Sequence, residues 1–269
     1  MARGAILACC CVLLFATPAA AHGGGYYGGD TTIPAWLTAG TGGAVVVVSF
    51  LATVAMPGGE FIRLVRGMRW SVQVPSMGHR AVAVLGGGVG LAALTSVVFV
   101  ALFGPAAEPA AANAAVVVVW VGWWGGYTAS VYLVGNSWRW LSPWRPLASA
   151  LPRTGERSLS DAVGVWPSVA GLLALVWVET ASPVASNPRL LALAVLGYTG
   201  VTVAVAVLFG PGTWFERLDP LSRAFRWYGR LAPVQRTDDG LSFGLPGSAL
   251  LGTGPTDRRG EVAFLVALL

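Results

Sequence analysis

The chain contains no lysine, only two histidines, and three cysteines that stand side by side at Cys9, Cys10 and Cys11. Charged residues make up 11% of its 269 positions, where soluble domains carry roughly 25%. Each shortage removes a class of chemistry. The glycine run Gly86-Gly87-Gly88-Val89-Gly90 is no nucleotide loop, because that loop needs a lysine and a preceding strand. Gly86 with Gly90, and Gly122 with Gly126, instead have the spacing that lets helices approach closely. The cysteines lie inside an N-terminal apolar stretch, so the mature chain is expected to hold no thiol, disulfide or cysteine-bound metal. No His/Asp cluster of the kind that activates water is visible, nor a nucleophile and base at recognisable spacing.

What is present is apolar: 55% of the chain, gathered into long runs. Met1 to Ala21 reads as a signal peptide, with Arg3 before an apolar centre too short to span and Ala19-Ala20-Ala21 as the cleavage site. Residues 22–33 form an external glycine-rich linker, and 34–269 a membrane helical domain. Five complete spans are expected at about 34–55, 81–104, 113–135, 162–180 and 190–210. Each suits a hydrocarbon core about 30 Å thick, and helix is the form that pairs its own backbone in lipid. The tail at 262–269 reads as the start of a sixth span, as in a fragment of a longer protein. The fold class is therefore all-α, a polytopic helical protein of the lipid bilayer.

Arginine fixes the orientation. Fifteen of the seventeen arginines fall in segments 56–80, 136–163 and 211–261. Cationic loops resist translocation, so these segments belong in the cytoplasm and the mature N-terminus outside the cytoplasmic membrane. The net charge of +5 comes from arginines that flank spans and form no basic stripe, so nucleic acid is not an expected partner. Within 211–261, Asp219 and Pro220 open a helix whose Leu221, Ala224, Phe225, Tyr228 and Leu231 share a face. Such a helix suits the inner membrane surface.

Candidate chemistry falls at the two membrane faces, because the middle thirds of the spans carry no charge. Mid-membrane ionisable groups mark ion and proton pathways, so their absence argues against a pump or proton-coupled transporter. Outside, Glu179 and Asp30 are the candidate catalytic carboxylates, with Trp177 beside Glu179 and Asn187 or Arg189 as neighbours. His22 would begin the mature chain, where its amine and imidazole could chelate copper. Inside, Arg139, Trp144 and Arg145 lie in a tryptophan–arginine alternation. That pattern reads either as an interfacial anchor or as a guanidinium cluster for a phosphate or carboxylate.

Several short patterns occur in order along the chain. They are Ala21-His22-Gly23, Ile33-Pro34-Ala35-Trp36-Leu37, Ser142-Pro143-Trp144-Arg145, Gly164-Val165-Trp166-Pro167, Trp177-Val178-Glu179 and Glu216-Arg217-Leu218-Asp219-Pro220. The set resembles a family of bacterial and archaeal multi-pass membrane proteins labelled fenitrothion hydrolase. The family pattern has Asn where this chain has Ser142. The resemblance implies hydrolysis of an organophosphate triester. Two other classes fit the residues alone: a transport or copper-handling component, and a non-catalytic assembly subunit with a membrane protein partner.

Overall fold

A computed structural model describes residues 63–73 except Arg66, 76–105, 113–152, 159–237, 240–251 and 258–269, with isolated positions from 36 to 50. The chain divides into two compact units, Met1–Pro57 and Gly58–Leu269. In the first, the described residues are helical. The signal peptide, His22, Asp30 and most of the expected span at 34–55 lie outside the described residues.

Four helices of the second unit are long and apolar enough to cross a membrane, at Arg80–Phe103, Ala114–Leu133, Asp161–Thr180 and Pro188–Phe209. They coincide with the last four complete spans read from the sequence. We name them α1 (Ser76–Phe103), α2 (Ala114–Leu133), α5 (Trp166–Thr180, with a 3₁₀ turn before it) and α6 (Pro188–Phe209). Local chemistry sets their ends. Asn113 accepts from the Ala115 amide at 3.0 Å and donates to the Pro105 carbonyl at 3.2 Å, capping α2. Asn187 caps α6 by accepting from the Leu190 amide at 3.1 Å, with Pro188 at the first helical position. Gly210, at φ 85°, ends α6 in a conformation that favours glycine. The middle of α2, Val118–Tyr127, is π-helical.

The segments between the spans fold back among them. After α2 come α3 (Trp138–Leu141) and α4 (Trp144–Ala150). After α6, a π-helical turn (Trp214–Leu218) leads to α7 (Pro220–Gly229). Both fold-backs reach the middle of the spans. The Trp144 indole donates to Thr199 Oγ1 at 2.9 Å, and Tyr198 and Thr199 are the central pair of the 22-residue α6. Gly90, at the middle of the 28-residue α1, lies against the Leu141 carbonyl. Pro220 lies within about 3 Å of where a Cβ on Gly171 of α5 would sit. Gly86 and Gly90 thus admit α3 rather than another span, while Gly122 and Gly126 are exposed and meet only their own helix.

Two expectations are corrected. The helix expected on the membrane surface, α7, is buried on nearly every side between α2 and α5. Its apolar face finds aromatic partners: Phe225 meets Trp123, Tyr127 and Trp138 with ring centroids 5.0–5.8 Å apart. Its Arg223 finds a carboxylate. Trp138 and Trp144 are buried, so they are core residues and not interfacial anchors. Residues 262–269, expected as the start of a sixth span, lie in and just after α8 (Glu261–Leu268), an apolar helix that docks along α5 with Phe264 fully buried in a cluster with Val165, Val169 and Leu172.

A small antiparallel sheet qualifies the all-α reading. Strand β1 (Trp70–Gln73) pairs with β3 (Gly240–Phe243), which pairs with β2 (Val234–Arg236). Trp70 and Phe243 face each other across the ladder with centroids 5.7 Å apart. The hairpin is tied to the end of α2 by a hydrogen bond from the Val234 amide to the Val134 carbonyl at 3.2 Å.

Candidate functional site

The two fold-backs line a half-open cavity of about 460 Å³ beyond the end of α6. Helix α3 contributes Arg139 to its wall, and α4 contributes Arg145 and Ser149. The connection after α6 adds Pro211, Gly212, Phe215 and Glu216, and α7 adds Arg226. Three guanidiniums from three helices therefore face one space with a single carboxylate.

The π-helical turn explains how its own wall is held. A turn of this kind leaves carbonyls free of partners in the helix. Arginines take them up: Arg223 Nη2 donates to the Glu216 carbonyl at 2.6 Å, and Arg226 Nη2 to the Phe215 carbonyl at 3.2 Å. Ser168 Oγ donates to the Arg217 carbonyl at 2.7 Å. Phe215 is thereby fixed under Arg145, whose Cζ stands 4.3 Å from the ring centroid in a cation–π contact.

The arginines at this end divide into two kinds. Arg223 is buried and bound to Glu261 at 2.7 Å, and Arg217 pairs with Asp161 at 3.4 Å. Arg139 and Arg145 make no hydrogen bond or ion pair among the described residues, and Arg145 Nε is buried without a partner. Burial, with Arg139 nearby, pushes the Arg145 guanidinium down to about 10, so it remains cationic at neutral pH. Burial also lowers Arg226, against the opposing pull of Glu216. A buried donor left unpaired costs about 1–3 kcal/mol, a cost that a ligand oxygen removes.

Asp219 lies deeper. It is fully buried and caps α7 by accepting from the Leu221 amide at 3.0 Å and the Ser222 amide at 3.2 Å, while the Tyr198 hydroxyl donates to it. Burial raises its carboxyl above the usual aspartate range. The neutral span centres seen in the sequence thus acquire a carboxylate at mid-depth, brought there by a fold-back.

Of the residues singled out in the sequence, Arg139 and Arg145 share the cavity. Trp144 is turned away from it, into a T-shaped contact with Tyr198 at 4.8 Å. Asn187 is exposed and serves as a helix cap. Glu179 is half-buried and takes a hydrogen bond from the Trp124 indole, while Trp177 is 60% exposed and does not shield it. Residues two apart on a helix point to different faces, which explains the mismatch. Among the described residues no three His, Cys, Asp or Glu side chains gather as a metal site. Ser149, Phe215, Glu216 and Arg226 were not singled out for the site; Ser149 shares α4 with Arg145, and the fold-back of 211–229 brings the other three beside Arg139 and Arg145. No protein-family model, curated protein or solved structure matches this chain.

Proposed function

We propose that this chain is a membrane-embedded anion-binding protein of the cytoplasmic membrane, with its mature N-terminus outside and its arginine cavity open to the cytoplasm. The observation that carries this reading is the contrast among arginines. Arg217 and Arg223, beside the cavity, are matched by carboxylates, while Arg139 and Arg145, which line it, make no ion pair among the described residues. Arg145, held by its contact with the Phe215 ring, is pre-organised for an oxyanion, because little of its side-chain freedom remains to be lost on binding. The arginine distribution supports the orientation.

Titration of the purified full chain in detergent with a panel of phosphate, sulfate and small carboxylates tests it. At least one anion is expected to bind, more weakly as salt rises and at least tenfold more weakly in Arg139→Gln. Absence of binding across the panel dismisses the reading.

The hydrolase resemblance gives a second reading, favoured by Glu216 lining the same cavity as the guanidiniums. Glu216 would take a proton from water as its oxygen bonds to phosphorus and the aryloxide leaves, giving a phosphodiester anion suited to the arginines. Turnover of a phosphotriester that Glu216→Gln does not slow would remove this reading.

A further inference from the structure

Resting on the anion-binding reading, the geometry points to a phosphate monoester as the ligand of the Arg139–Arg145–Arg226 cavity. Three guanidiniums against the Glu216 carboxylate leave a surplus of two positive charges. A carboxylate brings one charge and two oxygens to such a space. A monoester phosphate brings a charge of about −1.5 to −2 and three acceptor oxygens. Arg139 on α3 and Arg145 on α4 present planar forks of N–H donors, while Arg226 on α7, whose Nη1 and Nη2 donate to the Glu216 and Phe215 carbonyls, adds its charge. Forks converging from separate helices suit a tetrahedral group with several equivalent oxygens better than a planar one that a single arginine can saturate.

The size of the space leaves room for an organic part. Ligand cavities run from about 300 to about 1,000 Å³, and this one, at about 460 Å³, is much roomier than a bare oxyanion needs. Ser149 and the Glu216 carboxylate give that organic part a hydroxyl and an acceptor, which suits a polyol ester. Two sources share this chemistry: a soluble polyol phosphate, and the headgroup of an anionic lipid in the adjoining leaflet.

The test is calorimetric titration of the full chain in dodecyl maltoside, a detergent without phosphate, using glycerol 3-phosphate, inorganic phosphate and succinate. Glycerol 3-phosphate is expected to bind at least tenfold more tightly than succinate, and to lose at least tenfold in both Arg145→Gln and Arg139→Gln. Arg139 is exposed, so its variant keeps the fold intact. A side chain at Gly212 would enter open space, so Gly212→Leu should weaken glycerol 3-phosphate while sparing inorganic phosphate. Phosphatidic acid that competes assigns the site to a lipid headgroup; phosphatidic acid without effect assigns it to the soluble ester. Succinate binding as tightly as glycerol 3-phosphate would overturn the phosphate assignment and leave the anion site standing. Binding of no anion would overturn both, and glycerol 3-phosphate affinity unchanged in both arginine variants would place the ligand elsewhere.

Discussion

The Arg223 guanidinium and the Glu261 carboxylate meet at 2.7 Å with side chains only 2% and 1% exposed, joining α7 to α8 across the start of α5. Glu261 also accepts from the Trp227 indole at 2.7 Å, so one carboxylate serves two buried donors. Burying two charges is costly, and a pair of this kind holds a structure together chiefly because losing one partner strands the other. Arg223→Met and Glu261→Met are each expected to cost about 3–5 kcal/mol. The double variant Arg223→Met/Glu261→Met should recover much of that loss. Thermal unfolding of the full chain in detergent measures it, and a double variant as unstable as the sum of the singles would refute the coupling.

The last four complete spans were legible because an apolar run and its stops are local features. The fifth was read at 190–210, and the helix runs from Pro188 to Phe209 before Gly210. The fold-backs were not legible. Trp138 and Trp144 follow a span among arginines, as interfacial residues do, and only contacts with Phe225 and Thr199 show them to be core. The carboxylate that pairs with Arg223 was out of reach of a local reading because it comes 38 residues later. Arg139 and Arg145 could be grouped because they are close in sequence; Glu216 and Arg226 join them only through folding. Asn187, singled out as a binding residue, caps α6, and Asn before Pro at a helix start is itself a capping signal.

Asp219 gives a pH signature. Its folded carboxyl keeps a proton to higher pH than the unfolded one, whose ordinary value is 3.8. The folded state therefore binds more protons above that value, and its stability falls as pH rises from there through the raised folded value. Below 3.8 the contribution is complete. Asp219→Asn keeps a good helix cap and removes the titration. Its unfolding midpoint should vary less with pH than that of the wild type over the weakly acidic range; equal slopes would exclude Asp219 as the source.

The glycines of α1 separate packing from propensity. A Cβ on Gly86 would come within 2.8 Å of the Trp140 carbonyl oxygen, and one on Gly90 would overlap the Leu141 carbonyl. Gly88 faces open space. Gly86→Ala and Gly90→Ala are expected to lose about 1–3 kcal/mol through overpacking. Gly88→Ala should be neutral or gain about 0.5–1 kcal/mol from the lower chain entropy of alanine. Equal thermal shifts for all three would mean that α3 does not seat on α1.

Orientation is open to direct measurement. The four spans alternate in direction, so the start of α1, the end of α2, the start of α5 and the end of α6 share one face. The cavity lies at that end, among the arginine-rich segments. Because translocating arginine-rich loops is disfavoured, this face should be cytoplasmic. Reporter fusions at Ala112 and Arg157 are expected to report the outside and the cytoplasm respectively. A finer probe is Ser149→Cys, an exposed cavity position, in a background with Cys9, Cys10 and Cys11 replaced by alanine. A membrane-impermeant maleimide should label it in inside-out vesicles and not in intact cells, and glycerol 3-phosphate should slow the labelling. Labelling from the outer side would reverse the topology and exclude an inner-leaflet lipid or a cytoplasmic ester as the ligand.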